Sequence, residues 1–158
     1  MSTPSSSSST ECRTTLVTPR RVNLQLQATT QAEAILETAT LLAGHHAMTS
    51  FEKFQEDLLS REAAGPTHLG TCVALPHART AAVMEILVAA GRSEQGIPFT
   101  GLKEPVRLIF VVATPRSAIT GYLATVGALA RMLRDTNRLE RLLHCATPAE
   151  FAALLPAV

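Results

Sequence analysis

Tryptophan is absent from this 158-residue chain, and its other aromatics are five Phe and one Tyr. So small a set supplies neither a stacking platform for single-stranded nucleic acid nor an aromatic cage. Cysteine is scarce as well. Cys12, Cys72 and Cys145 are odd in number and far apart, without the short paired spacings of a structural zinc site. That pattern speaks against a disulfide framework and for a reducing compartment, with Cys72 and Cys145 read as small buried hydrophobes. An excess of one charge is lacking too: 14 basic side chains face 13 acidic ones, for a net charge of +1. The balance disfavours a dedicated nucleic-acid binder and attraction to an anionic membrane by bulk charge. Long apolar runs are missing. The longest, Leu108 to Ala113, is six residues, where a bilayer-spanning helix needs about 20. The expectation is a soluble, cytoplasmic protein with no direct membrane insertion.

What is present is 46% hydrophobic residues in a chain of one-domain length, enough for a single core without staples. Met1 to Thr10 is Ser-rich and has no apolar stretch of the kind a secretory signal needs, so residues 1–19 read as a disordered tail and 20–158 as the folded domain. Val22, Leu24 and Leu26 alternate with polar residues as a half-buried strand does. Thr29 or Thr30 can cap a helix carrying Ala34, Ile35, Leu41 and Leu42, ended by Gly44. Thr49 and Glu52 have capping-box spacing before a second helix with Phe51, Phe54 and Leu58 on one face. Gly65 to Gly70 reads as a loop, and Cys72 to Leu75 as a strand stopped by Pro76. Val83 to Ala90 and Val106 to Ala113 have the composition of buried strands. Leu123, Val126, Leu129, Ala130 and Leu133 share a helical face; a second helix follows Asp135 and Thr136, and a third opens at Thr147-Pro148. This order predicts an α/β fold, a mixed sheet flanked by helices.

The segment from Arg61 to Arg79 carries the chemistry. His77 follows a proline at the end of a short apolar strand, where rigid backbone holds a side chain that emerges into a loop. Imidazole is neutral over much of the physiological range. When one ring nitrogen donates to a backbone carbonyl, the other keeps its lone pair for attack. Phosphoryl transfer needs positioning and charge stabilisation more than covalent help. Two arginines flank the histidine, Arg61 sixteen positions before it and Arg79 two after. A plainer reading stands beside this one: His77 and Arg79 as solvated loop residues, and Arg61 as a helix-terminal charge answering the dipole. His45-His46, next to Met48, lack further ligands in the sequence and are not read as a metal site. His68 and His144 are read as ordinary residues. No cofactor is called for.

The same stretch resembles the active-site region of enzyme IIA components of the phosphoenolpyruvate-dependent sugar phosphotransferase system, of the mannitol/fructose class that includes nitrogen-regulatory IIA proteins. The matching residues are Arg61-Glu62, Pro66-Thr67, Leu69-Gly70 and Val73-Ala74-Leu75-Pro76-His77. The likeness continues through Gly96-Ile97-Pro98-Phe99, Pro105-Val106 and Tyr122 to Leu133, and covers about Val22 to Leu155. The resemblance implies an enzyme IIA-like sandwich and a phosphocarrier. In it His77 accepts phosphate from a histidine phosphocarrier protein and passes it to a IIB domain or holds it as a signal. Arg61 pairs with the phosphoryl oxygens, and Thr67, Arg79 and Arg116 are further binding candidates.

One position departs from the family. Where the family usually carries a second histidine, this chain has Tyr122, which can donate a hydrogen bond to phosphate but cannot become a cation. The departure suits a slow regulatory carrier better than a high-flux uptake carrier. It also supports an alternative: a non-catalytic regulatory module that controls a kinase or transporter by protein contact, in a chain without a IIB or membrane portion. A hydrolase using His77 as base is a weaker idea, since no G-x-S-x-G element accompanies it.

Overall fold

The computed structural model describes residues 16–65, 67–69 and 72–157. Residues 1–15 of the expected tail, with Cys12, lie outside the described residues, as do Pro66 and Gly70 of the motif. Packing begins ahead of the expected boundary at residue 20, because Val17 is fully buried among the core side chains.

Among the described residues there are six strands and five α-helices. The strands are β1 (Val22–Asn23), β2 (His68–Leu69), β3 (Val73–Ala74), β4 (His77–Thr80), β5 (Leu87–Ile97) and β6 (Val106–Pro115). The helices are α1 (Gln31–Ala39), α2 (Phe51–Ala63), α3 (Ile119–Leu133), α4 (Thr136–His144) and α5 (Pro148–Ala153). They build one mixed sheet in the order β1-β5-β6-β3-β2, with β4 also on β6. The β5–β6 pair is antiparallel, while β1 runs parallel to β5, and β3 and β4 run parallel to β6. Among the described residues no helix is long and apolar enough to cross a membrane.

The central strand explains the layering. Along β6, Ile109, Val111 and Ala113 point into one core and Leu108, Phe110 and Val112 into the other, as the two-residue period of a strand requires. The first core takes Ala34 and Ile35 of α1 with Phe54 and Leu58 of α2; the second takes Leu129 of α3, Leu142 of α4 and Phe151 of α5. Phe54 and Leu58 are fully buried, and each contributes about 1.5–3 kcal/mol of apolar burial to docking α2 on the sheet.

Several boundaries differ from the sequence expectations. The β1 ladder stops after Asn23, whose Oδ1 accepts the Gln25 N–H, although Leu24 and Leu26 stay buried. Thr30 caps α1 as anticipated, but the helix gives way at Thr40 to a 3-10 turn well before Gly44. Ser50, not Thr49, caps α2: its Oγ accepts the Lys53 N–H, and the Thr49 hydroxyl is spent on the Ala82 carbonyl. The strand expected at Val83 starts at Leu87 and runs through the polar stretch to Ile97, because β6 supplies its pairing partners up to Arg92 and, after a register shift, again at Ile97. On α3 the buried stripe is Thr125, Leu129 and Met132, which leaves Leu123 on the far side and 62% exposed. Asp135 and Thr147 cap α4 and α5 as expected. Cys72 and Cys145 are free thiols and only half-buried.

The most consequential difference is at Pro76. As expected, β3 stops short of Pro76, but the line of pairing does not end there. β3 and β4 lie along the same edge of β6 in the same register, Val73 opposite Leu108 and His77 opposite Val112, so that Leu75-Pro76 is a break in one line of pairing. Proline has no N–H to give a ladder, yet its carbonyl still accepts from Val112. His77 is therefore the first residue of an edge strand and not a loop residue.

Candidate functional site

In β4 the burial alternates, half-buried His77, buried Ala78, exposed Arg79, buried Thr80. The pleat thus sends His77 and Arg79 to one side and seats Ala78 and Thr80 on the core. From α2, the spacing of Asp57, Ser60 and Arg61 puts three polar side chains on one helical face. From α3, Tyr122 stands in the first turn. Gly121 permits that approach, since a Cβ there would lie 2.9 Å from the Ile86 side chain. Together Asp57, Ser60, Arg61, His77, Ala78, Arg79 and Tyr122 line one cavity of about 300 Å³ at the sheet edge.

The Nδ1 of His77 lies 2.9 Å from the Leu75 carbonyl oxygen. A carbonyl can only accept, so the neutral ring carries its proton on Nδ1 and leaves the Nε2 lone pair free. Burial holds the imidazole pKa below its ordinary value, and the charge of Arg61 adds to this, against the opposing pull of the Leu75 bond. A neutral imidazole with a free ring nitrogen, in the same cavity as a guanidinium, is the outcome. The rings of His77 and Tyr122 are tilted by 36° with centroids 5.4 Å apart.

The arginines divide into three situations. Arg61 lines the cavity at the end of α2 and donates from Nη1 to the Gly65 carbonyl. Arg79 lines it too, with Nη2 donating to the Arg116 carbonyl at 2.9 Å. Arg116 is absent from the lining, and its charge is felt by Asp57. Thr67 is also outside the lining, its hydroxyl committed to the Leu75 carbonyl at 2.6 Å.

Two lining residues were not singled out in the sequence, Asp57 and Ser60. Asp57 accepts from the Thr80 hydroxyl at 2.7 Å and pairs with Lys53 at 3.1 Å. Burial raises its pKa, but the Thr80 and Lys53 contacts outweigh this and hold the carboxyl below its ordinary value. The four-residue step from Asp57 to Arg61 on one helix was the signal available.

His45 and His46 stack with centroids 4.3 Å apart, and Glu85 brings a third donor within 4.8 Å of both. Glu85, forty residues further along the chain, carried no such signal in the sequence. His45 Nδ1, however, accepts the Ala47 N–H at 3.0 Å. The proton of the neutral ring then sits on Nε2, the atom that faces Glu85 at 3.8 Å.

With this geometry in view, the likeness to known proteins is direct. The family described as "Phosphoenolpyruvate-dependent sugar phosphotransferase system, EIIA 2" matches residues 15–157. The chain belongs to that family. This IIA domain is 32% identical over 145 residues to the PTS system 2-O-alpha-mannosyl-D-glycerate-specific EIIABC component of Escherichia coli, covering 90% of this chain and 22% of that protein. It is 30% identical over 133 residues to a nitrogen regulatory protein of Bradyrhizobium diazoefficiens, covering 82% and 84% of the two chains. The crystal structure of nitrogen regulatory protein IIA-Ntr from Neisseria meningitidis superposes with a TM-score of 0.81 at 27% identity, covering 89% of this chain and 97% of that one. The domain spans about a fifth of the length of the mannosylglycerate-specific relative and of a fructose-specific EIIABC component from Bacillus subtilis. The resemblance read from Arg61 to His77 and the flanked mixed sheet both hold.

Proposed function

We propose that this IIA domain is a phosphocarrier whose acceptor atom is Nε2 of His77. The Nε2 lone pair attacks phosphorus in the phosphohistidine of a histidine phosphocarrier protein. As the new N–P bond forms the old one breaks, and its electron pair returns to the donor nitrogen. Arg61 turns from the Gly65 carbonyl to the phosphoryl oxygens, where a guanidinium makes paired charge-assisted bonds. The group then passes to a IIB component or stays on His77 as a regulatory signal. This reading puts the exchange in the cytoplasm, with Ile119 and Leu123, both exposed on α3 to either side of Tyr122, as apolar surface for the protein partner.

One observation carries the reading: Nδ1 of His77 is tied to the Leu75 carbonyl while Arg61 shares its cavity. Incubation with phosphoenolpyruvate, enzyme I and the histidine phosphocarrier protein is expected to place one acid-labile phosphate on His77, lost in His77→Ala. No labelling with authentic partners would falsify it.

A second reading, a regulatory module acting by contact on a kinase or transporter, is favoured by Tyr122 in place of a second imidazole and by the likeness to nitrogen regulatory proteins. Under it, a pull-down recovers a target whose binding survives His77→Ala. Loss of every interaction on that change would count against it.

A further inference from the structure

The Leu75 carbonyl oxygen receives two side-chain bonds at once. His77 Nδ1 donates to it at 2.9 Å, and the Thr67 hydroxyl donates at 2.6 Å. The Leu75 N–H in turn donates to the Thr67 carbonyl at 2.9 Å. Leu75 and Thr67 are thus clasped to each other by a reciprocal pair, just where Pro76 interrupts the line of strand pairing and the backbone has fewest ladder bonds to fix it.

We propose that Thr67 is a positioning residue for phosphoryl transfer, holding the carbonyl at which the Nδ1 proton of His77 resides and so selecting Nε2 as the reactive nitrogen. The inference rests on the phosphocarrier reading for its kinetic consequence, though not for its structural one. A carbonyl oxygen has two lone pairs; with one occupied by Thr67, the other has a set direction for the imidazole. Proton accounting shows why this matters. Attack by Nε2 of the Nδ1–H tautomer gives an Nε2-phosphorylated ring that still carries its Nδ1 proton, so no proton has to move. From the Nε2–H tautomer the same product requires the proton to leave Nε2 and another to be supplied to Nδ1. Freezing the tautomer removes that step and also keeps the ring from presenting Nδ1 to the donor. The hydroxyl is out of the cavity lining, which separates this role from direct contact with the phosphoryl group.

The test uses the full chain, 15N-labelled, with Thr67→Val, Thr67→Ser and Thr67→Ala. Long-range 15N–1H correlation spectra of the imidazole report the tautomer with no phosphate donor present. The wild type and Thr67→Ser are expected to show the Nδ1–H form, and Thr67→Val a mixture with substantial Nε2–H. Thr67→Ala gives the same readout should the valine variant fail to fold. In the kinetic arm, with phosphorylated carrier protein as donor, Thr67→Val is expected to slow labelling of His77 by about 10- to 100-fold, by analogy with the loss of the partner that orients a metal-bound imidazole, and Thr67→Ser to restore it. A folded variant lacking the hydroxyl that keeps the pure Nδ1–H tautomer would overturn the proposal, as would a changed tautomer with an unchanged rate. If no variant, wild type included, takes phosphate while the tautomer shifts as expected, the carrier reading fails and with it the kinetic half of the proposal; the positioning of the ring by Thr67 stands.

Discussion

His77 and Tyr122 are in ring contact, with centroids 5.4 Å apart and planes tilted by 36°. Under the proposed carrier role, the tyrosine therefore stands where a second imidazole would face a phosphoryl group on His77, and it brings a neutral donor. Hydrogen bonds to a charged group span about 1.5–3 kcal/mol, and a cationic donor lies toward the strong end of that range while a neutral phenol lies toward the weak end, a difference of about 1 kcal/mol. Tyr122→His is thus expected to speed phosphoryl transfer from His77 to an acceptor by roughly five- to tenfold, since each 1.4 kcal/mol is a factor of about ten. Rapid-quench measurement of phosphate loss from labelled protein decides it. Equal rates for the tyrosine and histidine forms would mean that Tyr122 does not limit the carrier.

The depressed pKa of His77 has a direction that can be checked. Burial disfavours the imidazolium, and Arg61 adds repulsion. Arg61→Ala is expected to move the His77 titration midpoint upward, toward the ordinary histidine value, as followed by the imidazole NMR shifts. The folded state binds this proton less readily than the unfolded chain, so the stability contributed by neutral His77 is present above the ordinary histidine pKa and is lost as pH falls through the folded value. A midpoint that moves down in the arginine variant would show that the guanidinium does not act on this ring.

Much of this site is legible in the sequence. Arg61, His77, Arg79 and Tyr122 were all singled out in the chain, and all four line the same cavity, because a motif at fixed spacing carries its geometry with it. Asp57 and Ser60 were passed over: an acidic residue one helical turn before Arg61 looks like a solvated charge until the Thr80 hydroxyl is seen bonded to it. Local propensity ends a strand at proline, as β3 does, but it does not reveal that the parallel register on β6 bridges the break and resumes at His77. The polar run from Arg92 to Gln95 hid the second half of β5 for a related reason. Pairing to β6 at Arg92 and again at Ile97, on either side of a register shift, carries the strand through residues that advertise a loop.

Gly91 marks a contact of this hidden kind. A Cβ there would lie 2.5 Å from the Thr38 hydroxyl oxygen and 2.8 and 3.0 Å from the Leu26 methyls. Thr38 is fully buried and donates to the Ala34 carbonyl within α1, so it has little room to yield. Gly91→Ala is expected to destabilise the fold by about 1–3 kcal/mol through overpacking, read as a lowered Tm. Thr38→Ala in the same background is expected to recover part of the loss by removing the obstructing oxygen. An unchanged Tm for the single variant would show that α1 slides on the sheet.

Glu62, beside Arg61 in the motif, offers the clearest separation of a charge effect from a shape effect. Its Oε1 accepts from Gln31 at 3.3 Å, while among the described residues its buried Oε2 has no partner. Burial raises its pKa, against the smaller opposing pull of the Gln31 bond and the Arg61 charge. The folded state then holds the proton more tightly than the unfolded chain, so stability falls as pH rises from the ordinary carboxyl value through the raised one. Glu62→Gln keeps the shape and the acceptor for Gln31 but removes the charge. It is expected to raise Tm at pH 8 and to give a smaller gain at pH 4, where the native carboxyl already carries its proton. Thermal unfolding of both forms at the two pH values measures this. A gain independent of pH would assign the effect to the amide's own hydrogen bonds, and a loss at pH 8 would mean that the carboxylate is held by Arg61 more strongly than burial opposes it.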